Sequence, residues 1–275
     1  MTIESSIVIF ERSRQMINKM KLAFREFGQG QPLIILHGLF GQSDNWNTLA
    51  KGFSEKGFHV FALDQRNHGL SPHSDEWTYE AMAEDLKEFV DDHQLKDPII
   101  LGHSMGGKAV MYFELKYSGI ASKIIIADIS ARAYPPHHQE VLEALNAVDF
   151  NEIKTRKDAE TLLNEYIKDF GTKQFLLKNI YWKDGEASLM DWRFNLKVIS
   201  ENYENVCKGV PEFTSEAKIL IIKGETSKYI SNDDKEDLKK RFPHSTLVIL
   251  NGAGHWVHAE KPKEFFETVL MFITA

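Results

Sequence analysis

The chain has 275 residues, 43% of them hydrophobic and 27% charged, proportions that supply a full hydrophobic core and exclude collagen-like or disordered readings. Its 33 basic and 40 acidic side chains give a net charge of −7, so nothing draws it to a phosphate backbone and no nucleic-acid partner is expected. The single cysteine, Cys207, excludes an internal disulfide framework and a cysteine-rich zinc site.

Residues 1–19 read as an N-terminal extension, and Met20-Lys21-Leu22 as the start of a strand. The apolar run Ile7 to Phe10 follows Glu4 and precedes Glu11 and Arg12, which fits neither a secretory signal nor a membrane span of ~18 apolar residues. A cytoplasmic protein with no membrane span is expected. Short β-branched runs then predict strands at Leu33 to Leu36, Val60 to Leu63, Ile99 to Leu101, Ile124 to Ala127, Ile219 to Ile222 and Thr246 to Leu250. Uninterrupted apolar runs are the pattern of parallel strands covered on both faces. Tyr79 to His93 carries Met82, Leu86, Phe89 and Val90 at helical spacing, and Pro262 to Ile273 carries Phe265, Phe266, Val269 and Phe272. The alternation predicts an α/β fold, a mostly parallel doubly wound sheet formed by residues 20–130 and 213–275.

Residues 131–212 break the alternation. Val141, Leu142, Leu145 and Val148, then Leu163, Ile167 and Phe170, then Phe175, Leu176, Ile180 and Tyr181, are spaced as on helices, so the segment reads as an inserted helical cap. The basic stretch Lys154 to Lys157 is followed by Asp158 and Glu160 and reads as solvated helix surface.

The most informative segment is Pro98-Ile99-Ile100-Leu101-Gly102-His103-Ser104-Met105-Gly106-Gly107-Lys108-Ala109. It places Gly-x-Ser-x-Gly where a buried strand must turn at once into a helix. Such a turn lifts the serine hydroxyl above the C-terminal edge of the sheet, where open α/β sheets bind ligands. The pattern points to Ser104 as an acyl-transfer nucleophile. The competing reading is a serine that only caps the helix.

Three further motifs stand in order with it: His37-Gly38-Leu39-Phe40-Gly41, Asp64-Gln65-Arg66-Asn67-His68-Gly69-Leu70-Ser71 and Gly252-Ala253-Gly254-His255-Trp256. From about Met20 to Ile273 the chain resembles the α/β-hydrolase superfamily, in particular its small serine-esterase branch of bacterial and mitochondrial members. Trp192-Arg193-Phe194-Asn195 resembles the same branch. The resemblance implies the α/β-hydrolase fold with a cap and a Ser-acid-His triad needing no metal or organic cofactor.

Among eleven histidines, His255 follows the last predicted strand in a glycine-flanked loop that can reach Ser104, which makes it the expected base. His258 and His103 read as packed residues, and His37 as a holder of its own loop. His137 and His138 are adjacent, which is no metal spacing. Many relatives place the acid after the seventh strand, where this chain has Ser227. Asp128, at the end of Ile124 to Ala127, is the candidate acid, with Asp233 and Asp234 as alternatives. Oxyanion donors are expected from the backbone of Met105 and from Leu39 or Phe40. Arg66 is expected to tie to Asp64 or to backbone. His103, Trp182, Trp192 and Phe194 are candidates for a substrate pocket, against a plain core role.

The expected reaction is hydrolysis of carboxylic esters through an acyl-enzyme. The resemblance implies a small-molecule acyl ester or an acyl thioester such as acyl-CoA, in a monomer or small homo-oligomer. Two other readings stand: perhydrolase, C–C hydrolase or lyase chemistry on the same fold, and a non-catalytic ligand-binding protein.

Overall fold

The computed structural model describes residues 20–183 and 189–275; the expectation for residues 1–19 lies outside them. In chain order the strands are β1 (Phe24–Phe27), β2 (Gln31–Leu36), β3 (Phe58–Leu63), β4 (Ile99–His103), β5 (Lys123–Ala127), β6 (Ile180–Trp182), β7 (Met190–Trp192), β8 (Ile219–Gly224) and β9 (Ser245–Leu250). The helices are α1 (Asn47–Ser54), α2 (Tyr79–Asp92), α3 (Met105–Tyr117), α4 (Gln139–Asn146), α5 (Arg156–Tyr166), α6 (Phe170–Leu177), α7 (Leu196–Glu201), α8 (Tyr203–Cys207), α9 (Asn232–Arg241), α10 (Val257–Glu260) and α11 (Pro262–Thr274).

Seven strands form one sheet in the order β1-β3-β2-β4-β5-β8-β9, parallel except for β1. Side chains alternate across it. Ile34, Leu36, Ile100 and Ile126 join one core with Leu86 and Phe89 of α2 and Val110 and Phe113 of α3. Leu33, Ile35, Leu101 and Ile125 join the other with Phe53 of α1 and Phe265 and Val269 of α11. The chain passes from β2 to β3 on one side and returns to β4 on the other, so a crevice opens beyond the C-terminal ends of β2 and β4.

The sheet edges depart from expectation. The first strand, expected to start at Met20 to Leu22, begins instead at Phe24, and its Arg25 and Glu26 are exposed at the sheet edge. Thr246 to Leu250 is a strand, but as the opposite edge it has one open side, and Ile249 is 43% exposed.

Between β5 and β8 lie α4 to α8 and an antiparallel hairpin, β6 with β7, that the helical spacing did not foretell. Asn179 is the physical reason α6 does not run on through Ile180. Its N–H donates to Leu176 O, and its buried side-chain amide donates to the carbonyls of Leu176 and Phe175, closing the last turn. Several ties bind this inserted segment to the sheet domain. Asn195 N–H donates to Asn67 O at 2.8 Å and Tyr112 Oη to Gly209 O at 3.0 Å. The ammonium of buried Lys108 on α3 donates to Lys208 O while lying 4.7 Å from the ring centre of Tyr134. Among the described residues no helix is long and apolar enough to cross a membrane.

Candidate active site

Ser104 sits between β4 and α3 at φ +52°, ψ −117°, outside the regions open to ordinary L-residues. Its N–H continues the ladder to Ala127 O at 3.0 Å, and its carbonyl accepts from Lys108 N–H at 3.1 Å, so hydrogen bonds hold the turn on both sides. Glycine is required around it. A Cβ on Gly102 would fall 2.3 Å from Gly106 O, and one on Gly106 would fall 2.6 Å from the carbonyl oxygens of Leu36 and His37. The Ser104 side chain makes no capping bond to the helix it precedes. Instead its Oγ lies 2.9 Å from His255 Nε2.

His255 stands in the loop between β9 and α10. Glu260 draws that loop in by accepting from Gly254 N–H at 2.6 Å and Trp256 N–H at 3.1 Å. His103 Nε2 donates to the His255 carbonyl at 2.9 Å, which fixes the backbone beneath the imidazole. His255 Nδ1 lies 2.8 Å from Asp128 Oδ2. A carboxylate only accepts, so Nδ1 carries the proton and Nε2 is free to accept from Ser104. Asp128 is wholly buried and turns off β5 at φ +51°; its own N–H donates to Ile222 O. Its other oxygen accepts Gly224 N–H at 2.9 Å, and Oδ2 also takes the hydroxyl of Ser227. Asp234 lies elsewhere, accepting from Ser130 Oγ and Arg132 Nε and capping α9 with Ser231, while Asp233 is exposed.

The loop after β2 lies over the serine: a methyl group at Gly38 would come within 3.2 Å of Ser104 Cβ. Among the described residues the N–H groups of Leu39 and Met105 have no protein acceptor, whereas Phe40 N–H donates to His68 Nε2 at 3.3 Å. Phe40, at φ +59°, is held from the inserted segment by Asn179 Nδ2, which donates to its carbonyl at 3.0 Å. His37 does hold this loop: Nδ1 donates to Gly38 O at 2.8 Å and Nε2 accepts Gln65 N–H at 3.0 Å. Burial lowers its pKa to about 4 and that of His68 to about 3, so both imidazoles stay neutral.

A cavity of about 590 Å³ opens onto Ser104 and His255. Its apolar wall is made by Leu39, Phe40, Val141, Phe175, Leu176 and Trp256, and His103, His138, Tyr229 and His258 also border it. Of the four residues named for a pocket, His103 borders the cavity and the three aromatics do not. Trp182 lies on β6 and is 51% exposed. Trp192 and Phe194 are buried and stacked at 5.2 Å, with Phe194 packed behind Phe40 at 5.0 Å, so they brace the loop from outside. Hydrophobic character alone did not separate wall from bracing.

Arg66 does not pair with Asp64. It forms a two-pronged ion pair with Asp85 of α2 at 2.6 and 2.8 Å and also donates to the carbonyls of Glu76 and Ala81. Asp64 instead accepts the N–H groups of Ser43 and Leu70. His258 is stacked on Trp46 at 4.2 Å, with burial lowering its pKa to about 3. Sequence reasoning missed Asn179, the Ser227 contact and Tyr229. For Ser227 the available signal was its place after β8, where the resemblance puts the usual acid; Asn179 and Tyr229 carried none.

A family model described as the alpha/beta hydrolase fold matches residues 31–163 and 150–262. The chain is 33% identical to the sn-1-specific diacylglycerol lipase ABHD11 of Danio rerio over 271 residues, 95% of this chain and 84% of that protein. It is 36% identical to esterase YbfF of Escherichia coli (strain K12) over 245 residues, 88% of this chain and 92% of that protein. A solved marine microorganism esterase superposes with a TM-score of 0.89 at 41% identity, covering 92% of this chain and 99% of that one. The chain therefore belongs to the α/β-hydrolase family, of the type its esterase and lipase relatives represent.

Proposed function

We propose that the protein hydrolyses carboxylic esters through an acyl-enzyme on Ser104. The observation that carries this reading is the unbroken line of hydrogen bonds from Ser104 Oγ through His255 to Asp128, at 2.9 and 2.8 Å, open to a largely apolar cavity. As the hydroxyl attacks an acyl carbon, His255 Nε2 takes its proton, and Asp128 stabilises the imidazolium without accepting that proton. The tetrahedral oxygen receives the N–H groups of Met105 and Leu39; Phe40 N–H is already committed to His68. Collapse breaks the ester C–O bond, and His255 returns the proton to the departing alcohol. Water, deprotonated by the same imidazole, then releases the acid. The apolar wall suits an acyl chain or an apolar alcohol portion, in keeping with the esterase and lipase names of the relatives. A thioester would follow the same steps with a thiol leaving group.

The test is labelling with a fluorophosphonate probe, alongside turnover of p-nitrophenyl esters and acyl-CoA thioesters of graded chain length. The wild-type protein is expected to label and to turn over esters. Ser104→Ala is expected to do neither, with kcat lower by about 10⁴-fold or more. A folded wild-type protein that resists the probe, or a Ser104→Ala variant that keeps its turnover, would overturn the reading.

A further inference from the structure

Tyr229 belongs to none of the sequence motifs, yet its ring lies flat against His255, with ring centres 3.8 Å apart and planes 17° from parallel. It is held at three points. Its N–H donates to Ser227 Oγ at 3.2 Å, its carbonyl accepts Tyr134 Oη at 2.6 Å, and its phenol lies 2.6 Å from His137 Nε2. The direction of the last bond follows from the other nitrogen of His137, 2.8 Å from the Pro135 carbonyl. A carbonyl only accepts, so Nδ1 carries the proton and the phenol donates to Nε2.

A ring in this position acts differently on the two states of the imidazole. The face of an aromatic ring carries negative charge, so it attracts the imidazolium more strongly than the neutral imidazole. An interaction that strengthens as charge develops raises the rate of the chemical step, whereas one equal in both states does not. The stack also hinders rotation of the imidazole out of line. We propose that Tyr229 is a positioning residue: its ring face keeps the His255 imidazole aligned between Asp128 and Ser104 and favours the imidazolium formed in acyl transfer. This rests on the assignment of Ser104, His255 and Asp128 made above.

The titratable groups facing His255 come from several elements. Asp128 stands at the end of β5, His103 on β4 with its ring 4.8 Å away, His258 on α10 and His138 ahead of α4. Burial keeps the three histidines neutral. Asp128 and the Tyr229 face are therefore the neighbours that favour a cation.

The experiment measures kcat and KM for a p-nitrophenyl ester across pH in the wild type, Y229F, Y229W and Y229L. The acid limb of kcat/KM reports protonation of His255 in the free enzyme. Y229F keeps the ring and is expected to stay within about 3-fold of wild type with its limb unmoved. Y229L is expected to lose about 10-fold in kcat with little change in KM, and its limb to move to lower pH by about half a unit or more. Y229W, which restores a ring face, is expected to bring the limb back; Y229Q takes the place of Y229L if that variant does not fold. An acid limb in the unstacked variant that coincides with wild type would overturn the proposal whatever happens to kcat, since a purely structural role lowers turnover without moving it. Turnover retained by His255→Ala would instead remove the underlying triad assignment.

Discussion

Asp128 receives three hydrogen bonds on two oxygens, and every donor is fixed: Gly224 N–H, Ser227 Oγ and His255 Nδ1. An amide cannot satisfy that set, because its NH₂ group would face a donor. In Asp128→Asn the NH₂ is expected to turn toward His255, leaving the imidazole with its proton on Nε2, where it can no longer accept from Ser104. Turnover should then fall by about 10²–10⁴-fold while the protein stays folded, as kcat and a circular-dichroism melt would show together. Asp234→Asn makes the matched control. It weakens the carboxylate's hold on Ser231 N–H in the α9 cap and its contact to Arg132, so about 1 kcal/mol of stability should be lost with turnover nearly unchanged. Loss of turnover in the control, with Asp128→Asn active, would move the acid to α9.

Asn179 links the inserted segment to the expected oxyanion loop, since its one side-chain amide closes α6 and also holds Phe40 O. Asn179→Ala leaves that buried carbonyl without its donor, which should cost about 1–3 kcal/mol of stability and lower kcat more than it raises KM. An unchanged kcat would mean that the loop holds its shape without the insert. The same element separates what was legible in the sequence from what was not. The elbow at Ser104 is local: a buried strand, three glycines and the start of a helix lie within twelve residues, and chemistry and geometry are written together. Asn179 and Phe40 are 139 residues apart, so no spacing rule joins them. Arg66 reads as scaffold from its motif, but its partner Asp85 lies on α2, and only packing chooses it over Asp64. Short elements were the least readable. Ile180 and Tyr181 continue the helical period of α6, and three residues of strand carry too little alternation to contradict it.

Across the whole molecule, histidines serve as much to hold loops as to move protons, and this fixes how the fold responds to acid. His37, His68 and His103 are each buried and use a ring nitrogen in a hydrogen bond to backbone. Burial lowers their pKa, to about 4 for His37, about 3 for His68 and well below the ordinary value of 6.5 for His103. In the unfolded chain each would titrate near 6.5. Between that value and the lowered ones the unfolded state binds more protons, so stability is fully present above about pH 6.5 and is lost as the pH falls. Each such histidine costs up to about 1.4 kcal/mol per pH unit in that window, so His37 and His68 alone remove on the order of 3 to 4 kcal/mol between pH 7 and 5, and His103 acts in the same direction. Most carboxylates titrate below this range, which leaves the window to the histidines. The urea midpoint should therefore drop steeply from pH 7 to pH 5, with the m-value unchanged. Ester turnover that depends on a neutral His255 can also fall in acid, and brief exposure tells such a loss from unfolding. Activity lost to protonation returns at once when the pH is raised, whereas activity lost to unfolding returns only as the chain refolds. A midpoint that is the same at pH 5 and pH 7 would mean that these imidazoles carry a proton inside the fold, against the acceptor roles of His37 and His68 toward Gln65 and Phe40.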